Sequence, residues 1–108
     1  MLKVALIGYG YWGTKLARNF QNSESFNLVV VADKNPKNLL LAKKNYPLIS
    51  GFTNYKKAII KDDIDLVIIS SPTISHFKIA KFSLENSKHI LVEKPLSLSL
   101  NEVKKLNI

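Results

Sequence analysis

Residues 4–13 read VALIGYGYWG, an apolar run that leads directly into three glycines with the spacing GxGxxG. The run belongs to a predicted strand at 3–7, and its continuous apolar character is typical of strands that are buried on both faces of a parallel sheet. Beyond the glycines, Leu16, Ala17 and Phe20 fall at helical spacing, which predicts an amphipathic helix over 12–22. A strand, a glycine turn and a helix in this order favour a loop that binds the pyrophosphate of a dinucleotide.

Each glycine of this loop has its own expected role. Gly8 permits the tight turn off the strand, Gly10 lets the backbone approach the pyrophosphate, and Gly13 lets the helix pack closely on the strand. The amides near Tyr11 and Trp12 are then expected to point at phosphate, at the positive end of the helix. Because glycine loops are common, the motif needs support from its context.

An acidic residue follows the second predicted strand at the spacing that ribose recognition requires. Residues 26–32 (FNLVVVA) form a continuous, β-branched run, and Asp33 comes 20 residues after Gly13. A carboxylate at this place is expected to accept both ribose hydroxyls and to repel a 2′-phosphate, which favours NAD over NADP. Lys34 follows immediately and offers a positive partner to such a phosphate. The alternative interpretation is a turn with an ordinary surface Asp.

The rest of the chain continues the alternation of strands and helices. Further strands are expected at 48–52, 66–69 and 89–92, and further helices from Pro36 to before Pro47, at 55–61, at 74–86 and from Ser97 or Ser99. Asn35 and Asn54 are the expected N-caps. The pattern predicts a single α/β domain over 1–108, with a doubly wound parallel sheet of about five strands, the Rossmann class. Such sheets bind ligands at the carboxyl ends of the strands, where strand order reverses.

Composition and charge limit the classes of function. The chain has 108 residues, no cysteine, no signal-peptide pattern and no apolar run near the ~20 residues that span a bilayer. We therefore expect a cytoplasmic protein without disulfides, metal or membrane partner. The net charge of +8 comes from scattered lysines, with Arg18 as the only arginine, which favours solvated helix faces over a nucleic-acid interface.

Four segments together resemble one family of dehydrogenases. They are GYGYWG at 8–13, VAD at 31–33, SPTISHFKIA at 71–80 and VEKPLS at 92–97. They resemble the glucose–fructose oxidoreductase and inositol 2-dehydrogenase (Gfo/Idh/MocA) family, and in particular its nucleotide-sugar 3-dehydrogenases. The resemblance covers essentially the whole chain, and the EKP segment is its specific part. It implies an NAD(P)-dependent oxidoreductase that acts on a hydroxyl of a sugar, nucleotide sugar or polyol.

The resemblance implies that the residues after the fourth strand line the nicotinamide side of the cofactor. In this chain they are Ser70, Ser71, Pro72, Thr73 and His76. The family has Asn where Thr73 stands, and the Thr hydroxyl can still supply a hydrogen bond. For His76 the alternative is a helix-entry residue that packs or bonds locally, and it is not assigned as a base.

The resemblance also implies that Glu93 lies against the nicotinamide ribose and that Lys94 reaches the reacting carbon. Oxidation of an alcohol requires loss of the hydroxyl proton as hydride leaves, and an ammonium beside a cationic ring in a closed pocket exchanges its proton readily. Pro95 fixes its own φ and stiffens the turn after Lys94. The alternative interpretation is a Glu-Lys pair on an ordinary loop.

Family members continue into a second domain with the substrate contacts and much of the oligomer interface. This chain ends within its expected last helix, so we expect it to lack the substrate domain and the sixth strand, to bind dinucleotide weakly and to show no turnover alone. The fifth strand would then be an open edge through which a homo-oligomer could form. Two other classes stay open: a non-catalytic module that senses dinucleotide redox state, and a dihydrodipicolinate- or homoserine-type reductase, against which the EKP and SPTISH segments argue.

Overall fold

Strands and helices alternate along the computed structural model, which describes residues 2–22, 24–61, 64–70 and 73–92, apart from the side chains of Trp12, residues 73–76 and Val92. The strands are β1 (Leu2–Ile7), β2 (Phe26–Ala32), β3 (Ser50–Phe52), β4 (Leu66–Ile69) and β5 (His89–Val92). The helices are α1 (Tyr11–Gln21), α2 (Pro36–Asn45), α3 (Tyr55–Ile59) and α4 (Thr73–Glu85). Within these described ranges, no helix has the length and apolar character needed to cross a membrane.

The five strands of the described residues form one parallel sheet in the order β3-β2-β1-β4-β5. The chain starts in the middle of the sheet, builds outward through β2 and β3, and then crosses to β4 and β5 on the other side. Strand order therefore reverses between β1 and β4, and the carboxyl ends of these strands form the crevice in which such sheets bind ligands. The doubly wound α/β fold predicted from the sequence is confirmed.

Two apolar clusters attach the helices to the two faces of the sheet. Alternate residues of β1 belong to different clusters, because successive side chains of a strand point to opposite faces. Since both faces are covered, residues 4–7 of β1 and all of β4 are buried, and this explains their continuous apolar sequences. The cluster under α3 and α4 includes Ala5, Ile7, Ala58, Ile59, Ile79 and Ala80, and the cluster under α1 and α2 includes Val4, Leu6, Tyr9, Ala17 and Ala42.

Two helices begin at the N-caps that the sequence indicates. The side chain of Asn35 accepts a hydrogen bond from the backbone N–H of Lys37 at 3.0 Å, with Pro36 as the first residue of α2. Asn54 likewise accepts one from the N–H of Lys56 at 2.9 Å, at the start of α3. Such caps satisfy N–H groups that have no partner inside the helix.

A few element boundaries differ from the prediction. β3 spans three residues instead of 48–52, because the chain is still turning at 47–48 before it reaches the sheet. α3 ends at Ile59, earlier than the predicted residue 61, and α1 and α4 each begin and end one residue earlier than predicted. The helix expected from Ser97 or Ser99 lies outside the described residues.

β5 lies at one edge of the sheet that the described strands form, and β3 lies at the other. Leu91 of β5 is nearly half exposed. An edge strand offers backbone N–H and carbonyl groups for pairing with another strand. Assembly of the protein through this edge stays a prediction.

Candidate functional site

The glycine loop leaves β1 through a turn that glycine makes easily. Gly8 has φ = 100°, in the left-handed region that a side chain disfavours. Its N–H donates to the carbonyl oxygen of Ala32 at 2.7 Å, and its own carbonyl oxygen accepts from Oγ of Ser70 at 2.7 Å. The turn is thus bonded to residues at the carboxyl ends of β2 and β4, the two strands that flank β1.

The other two glycines of the loop differ in what surrounds them. A Cβ at Gly13 would collide with the carbonyl oxygen of Gly8 and lie 2.8 Å from Oγ of Ser70, so the close packing predicted here is confirmed. A Cβ at Gly10 would meet no atom of the described residues within 4 Å. Gly10 is also the N-cap of α1 and has no side chain with which to cap the helix. Open space beside an uncapped helix start fits a phosphate group of a dinucleotide.

Asp33 is bonded both to the glycine loop and to the start of α2. Its Oδ2 accepts hydrogen bonds from the backbone N–H of Tyr9 at 2.8 Å and from Nδ2 of Asn38 at 3.0 Å. Its Oδ1 accepts one from the backbone N–H of Asn35 at 2.8 Å. The half-buried carboxylate therefore lies directly beside the loop, and the glycine loop and Asp33 are joined by one hydrogen bond.

These partners of Asp33 are not part of the sequence prediction, although two of them leave a signal. An Asp two residues before a helix N-cap commonly forms an Asx turn, and Asn35 completes one here. Asn38 occupies the third position of α2, where a capping box would have Glu or Gln, and its amide donates to Asp33 instead. Tyr9 leaves no signal, since every residue except proline carries a backbone N–H.

The side chain of Tyr9 anchors the loop to the domain. It is only 2% exposed and packs in the cluster under α1 and α2. Its hydroxyl accepts a hydrogen bond from Nδ2 of Asn45, the last residue of α2, at 2.9 Å. Burial raises the pKa of the neighbouring Tyr46 phenol above its ordinary value, and the Tyr9 phenol adds to this effect. The loop is therefore fixed to α2 through the side chain of Tyr9 as well as through Asp33.

Two further residues predicted to bind cofactor have exposed side chains. Tyr11 is 70% exposed, and its hydroxyl accepts a hydrogen bond from Nζ of Lys15 at 2.8 Å. Lys34 is exposed directly after Asp33 and lines the cleft described next. Trp12 lies in the first turn of α1.

A cleft of about 1070 Å³ opens beside Asp33, between α3 and α4. It starts at the carboxyl ends of β1 and β2, where a doubly wound sheet binds its ligand. Its size matches the upper end of ordinary small-molecule sites, and an excess of lysines over acidic residues favours an anionic ligand. The aromatic side chains in its wall are Tyr55, Phe77 and Phe82, and the charged ones are Asp33, Lys34, Lys56, Lys78, Lys81 and Glu85.

Among the residues expected on the nicotinamide side, Ser70 follows β4 and donates to the carbonyl oxygen of Gly8. The backbones of Thr73 and His76 lie at the start of α4. The other predicted site groups lie outside the described residues: they are Ser71, Pro72, Glu93, Lys94 and Pro95, together with the side chains of Trp12, Thr73 and His76.

A doubly wound parallel sheet with a left-handed glycine turn and a carboxylate beside it belongs to the class of Rossmann dinucleotide-binding domains. Comparison with known families narrows the class further. The chain belongs to the Gfo/Idh/MocA family, since the family model described as "Oxidoreductase family, NAD-binding Rossmann fold" matches residues 2–107. The family inferred from the four sequence segments is confirmed.

Individual relatives agree with this membership. The chain is 34% identical to glycosyl hydrolase family 109 protein 4 of Phocaeicola vulgatus, and the match covers 94% of the chain and 21% of that protein. It is 26% identical to scyllo-inositol dehydrogenase from Lactobacillus casei, solved with bound NAD(H) and scyllo-inositol, with a TM-score of 0.90 over 98% of the chain and 32% of that structure.

A second solved relative carries the other dinucleotide. Biliverdin reductase from Synechocystis, in complex with biliverdin and NADP+, is 26% identical with a TM-score of 0.92, over 98% of the chain and 33% of that structure. The chain thus spans between about a fifth and a third of the length of these relatives.

Proposed function

We propose that this chain is the cofactor-binding part of an oxidoreductase that transfers hydride between a nicotinamide dinucleotide and a hydroxyl of a sugar, nucleotide sugar or polyol. The observation that carries the proposal is the 2.8 Å hydrogen bond from the N–H of Tyr9 to Asp33. It joins the glycine loop and the carboxylate at the crevice of the sheet, so that one ligand with a pyrophosphate and a ribose can bind both. The scyllo-inositol bound to a solved relative supports a polyhydroxylated substrate.

The residues of the loop fit the dinucleotide. Gly10 leaves open space beside the start of α1, and the N–H groups of that helix start would bind the pyrophosphate. Asp33 would accept hydrogen bonds from the adenosine ribose, and its charge would repel a 2′-phosphate. We therefore propose NAD as the preferred cofactor, with Lys34 as the group that would attract the phosphate of NADP.

The nicotinamide side of the site is proposed from the family's motifs. Ser71, Pro72, Thr73 and His76 would flank the ring, and Glu93 would contact the nicotinamide ribose. Lys94 would hold or accept the proton of the substrate hydroxyl, while the bound cofactor supplies the hydride chemistry. Lys94 is the one catalytic residue in this proposal.

The rest of the enzyme belongs to the same proposal. A substrate domain beyond residues 1–108 would supply the sugar contacts, and this chain alone would bind dinucleotide without turnover. A cytoplasmic location and assembly into homo-oligomers are further predictions of the proposal.

The role of Lys94 is tested in the enzyme that combines this chain with its substrate domain. Lys94→Ala should abolish turnover of sugar or polyol substrates and leave NAD affinity unchanged, because the lysine moves a proton rather than holding the cofactor. Lys44→Ala, an exposed lysine of α2 away from the cleft, is the matched control and should retain both. Retained activity in Lys94→Ala would exclude the role. Binding of dinucleotide without turnover by the wild-type enzyme would favour the redox-sensing module instead.

A further inference from the structure

The Asp33 carboxylate has more protein donors than its orientation requires. The backbone N–H groups of Tyr9 and Asn35 each hold one of its oxygens, both at 2.8 Å. Two bonds to the two oxygens already fix the plane of the carboxylate. The amide of Asn38 adds a third bond, at 3.0 Å, to the oxygen that Tyr9 already holds.

Asn38 is well placed to keep this bond. It lies in the first turn of α2, where its backbone N–H donates to the carbonyl oxygen of Asn35 at 3.0 Å, and its side chain is half-buried. A carboxylate offers about four lone-pair sites, two on each oxygen. Among the described residues two donors bond to Oδ2 and one to Oδ1 of Asp33, so Oδ2 is filled and Oδ1 retains a site.

We infer that Asn38 sets how strongly the site prefers NAD over NADP, because it occupies the acceptor site on Asp33 that would otherwise bind a second ribose hydroxyl. This inference rests on the proposed function, in which Asp33 faces the adenosine ribose. With Oδ2 filled, Asp33 binds one hydroxyl of NAD through Oδ1 instead of two hydroxyls. Asn38 thereby removes part of the advantage that the carboxylate gives to NAD.

Electrostatic interactions around Asp33 also reduce the preference for NAD over NADP. The N–H end of the Asn38 amide is the positive end of its dipole, and its contact with the carboxylate weakens the repulsion that a 2′-phosphate would meet. Positive potential also comes from three lysines: Lys34, which is exposed beside Asp33, and Lys56 and Lys78 in the same cleft. The site is therefore expected to discriminate only moderately between the two dinucleotides.

The test removes the amide and measures discrimination. Asn38→Leu keeps a side chain of similar size without a donor, and calorimetric titration of NAD and of NADP into the wild-type and variant chains gives four dissociation constants. The Kd of NADP divided by that of NAD should rise about tenfold in the variant, because Oδ2 becomes free for the second hydroxyl and the carboxylate repels the phosphate more strongly. Asn38→Ala should change the ratio in the same direction.

The matched control is Asn19→Leu, which places the same substitution on the exposed face of α1. This variant should leave the ratio of the Kd of NADP to that of NAD unchanged. A purely structural role for Asn38 would lower the melting temperature and weaken both dinucleotides equally. An unchanged ratio, or a shift toward NADP, in both Asn38 variants would overturn this inference while NAD binding by the wild-type chain still supports the proposed function. A wild-type chain that binds neither dinucleotide would overturn both.

Discussion

The carbonyl oxygen of Gly8 occupies the position that a Cβ on Gly13 would need. The two residues lie at opposite ends of the same loop, and their contact brings the first turn of α1 against the end of β1. Gly10, between them, has no such contact with the described residues. The motif therefore contains one glycine that the packing of the protein requires and one, Gly10, that the packing leaves free and that the proposed function assigns to the ligand.

This difference predicts opposite phenotypes for two identical substitutions. Gly13→Ala should lower the free energy of unfolding by about 3 kcal/mol, because a methyl group must displace backbone.

Gly10→Ala should change the free energy of unfolding by less than about 1 kcal/mol, the scale of an N-cap substitution. It should nevertheless weaken dinucleotide binding about tenfold, since the methyl enters the space where backbone meets pyrophosphate. Urea unfolding and calorimetry check both, and unchanged dinucleotide affinity in Gly10→Ala would contradict the assigned role.

The end of α4 offers a test of backbone strain that does not involve the glycine loop. Ser87 has φ = 62°, and its N–H donates to the carbonyl oxygen of Leu84 at 3.0 Å. Helices commonly end with a residue in this conformation, usually glycine. Ser87→Gly should raise the free energy of unfolding by up to about 1 kcal/mol, measured by thermal unfolding, because glycine adopts this conformation without a Cβ clash. Ser87→Ala keeps the Cβ and should give no gain; a less stable Ser87→Gly would contradict the prediction.

The partly buried phenol of Tyr46 predicts a pH dependence of stability. Burial raises its pKa above the ordinary value of 10.0, Tyr9 raises it further, and Arg18 opposes both. A raised pKa in the folded state favours the neutral phenol, so this stabilisation is fully present below the pKa of the unfolded chain and is lost as pH rises through the folded pKa.

Tyr46→Phe isolates this effect, because the lysines titrate in both proteins and cancel in the difference. The free energy of unfolding of the wild type should fall more than that of the variant between neutral pH and about pH 10.5, in the range where tyrosine ionises. Urea unfolding of both proteins at the two pH values provides the measurement. Equal losses in the two proteins would show that Tyr46 does not contribute.

The sheet follows from local sequence patterns where the strands are buried. The runs at 26–32 and 66–69 are mainly apolar and largely buried, and each forms a strand with those bounds. Strands covered on both faces need such runs, so the sequence carries a strong signal. The weakest pattern, 48–52, gives the least accurate boundary, because β3 lies at an edge and only three of its residues join the sheet.

The site is predictable only where local geometry demands a residue type. The turn at Gly8 and the contact at Gly13 both require glycine. The two glycines and the spacing between them can therefore be recognised in the sequence. The bond from Tyr9 to Asp33 leaves no such signal, because the donor lies 24 residues away and any residue except proline would supply the N–H. The bond from Asn38 spans five residues across the turn from β2 into α2, and an Asn at the third helix position does not by itself identify Asp33 as its acceptor.

Titration of NAD into the wild-type chain and into Asp33→Ala tests most directly whether Asp33 binds the ribose of a nicotinamide dinucleotide. Asp65→Ala is the matched control, since Asp65 also accepts a backbone N–H, that of Lys3 at 2.9 Å, but lies before β4 at the opposite end of the sheet. We predict that the wild-type chain and Asp65→Ala bind NAD with similar affinity, and that Asp33→Ala binds it at least about tenfold more weakly, through loss of a charge-assisted hydrogen bond. Equal NAD affinity in all three proteins would contradict a role of Asp33 in binding the ribose.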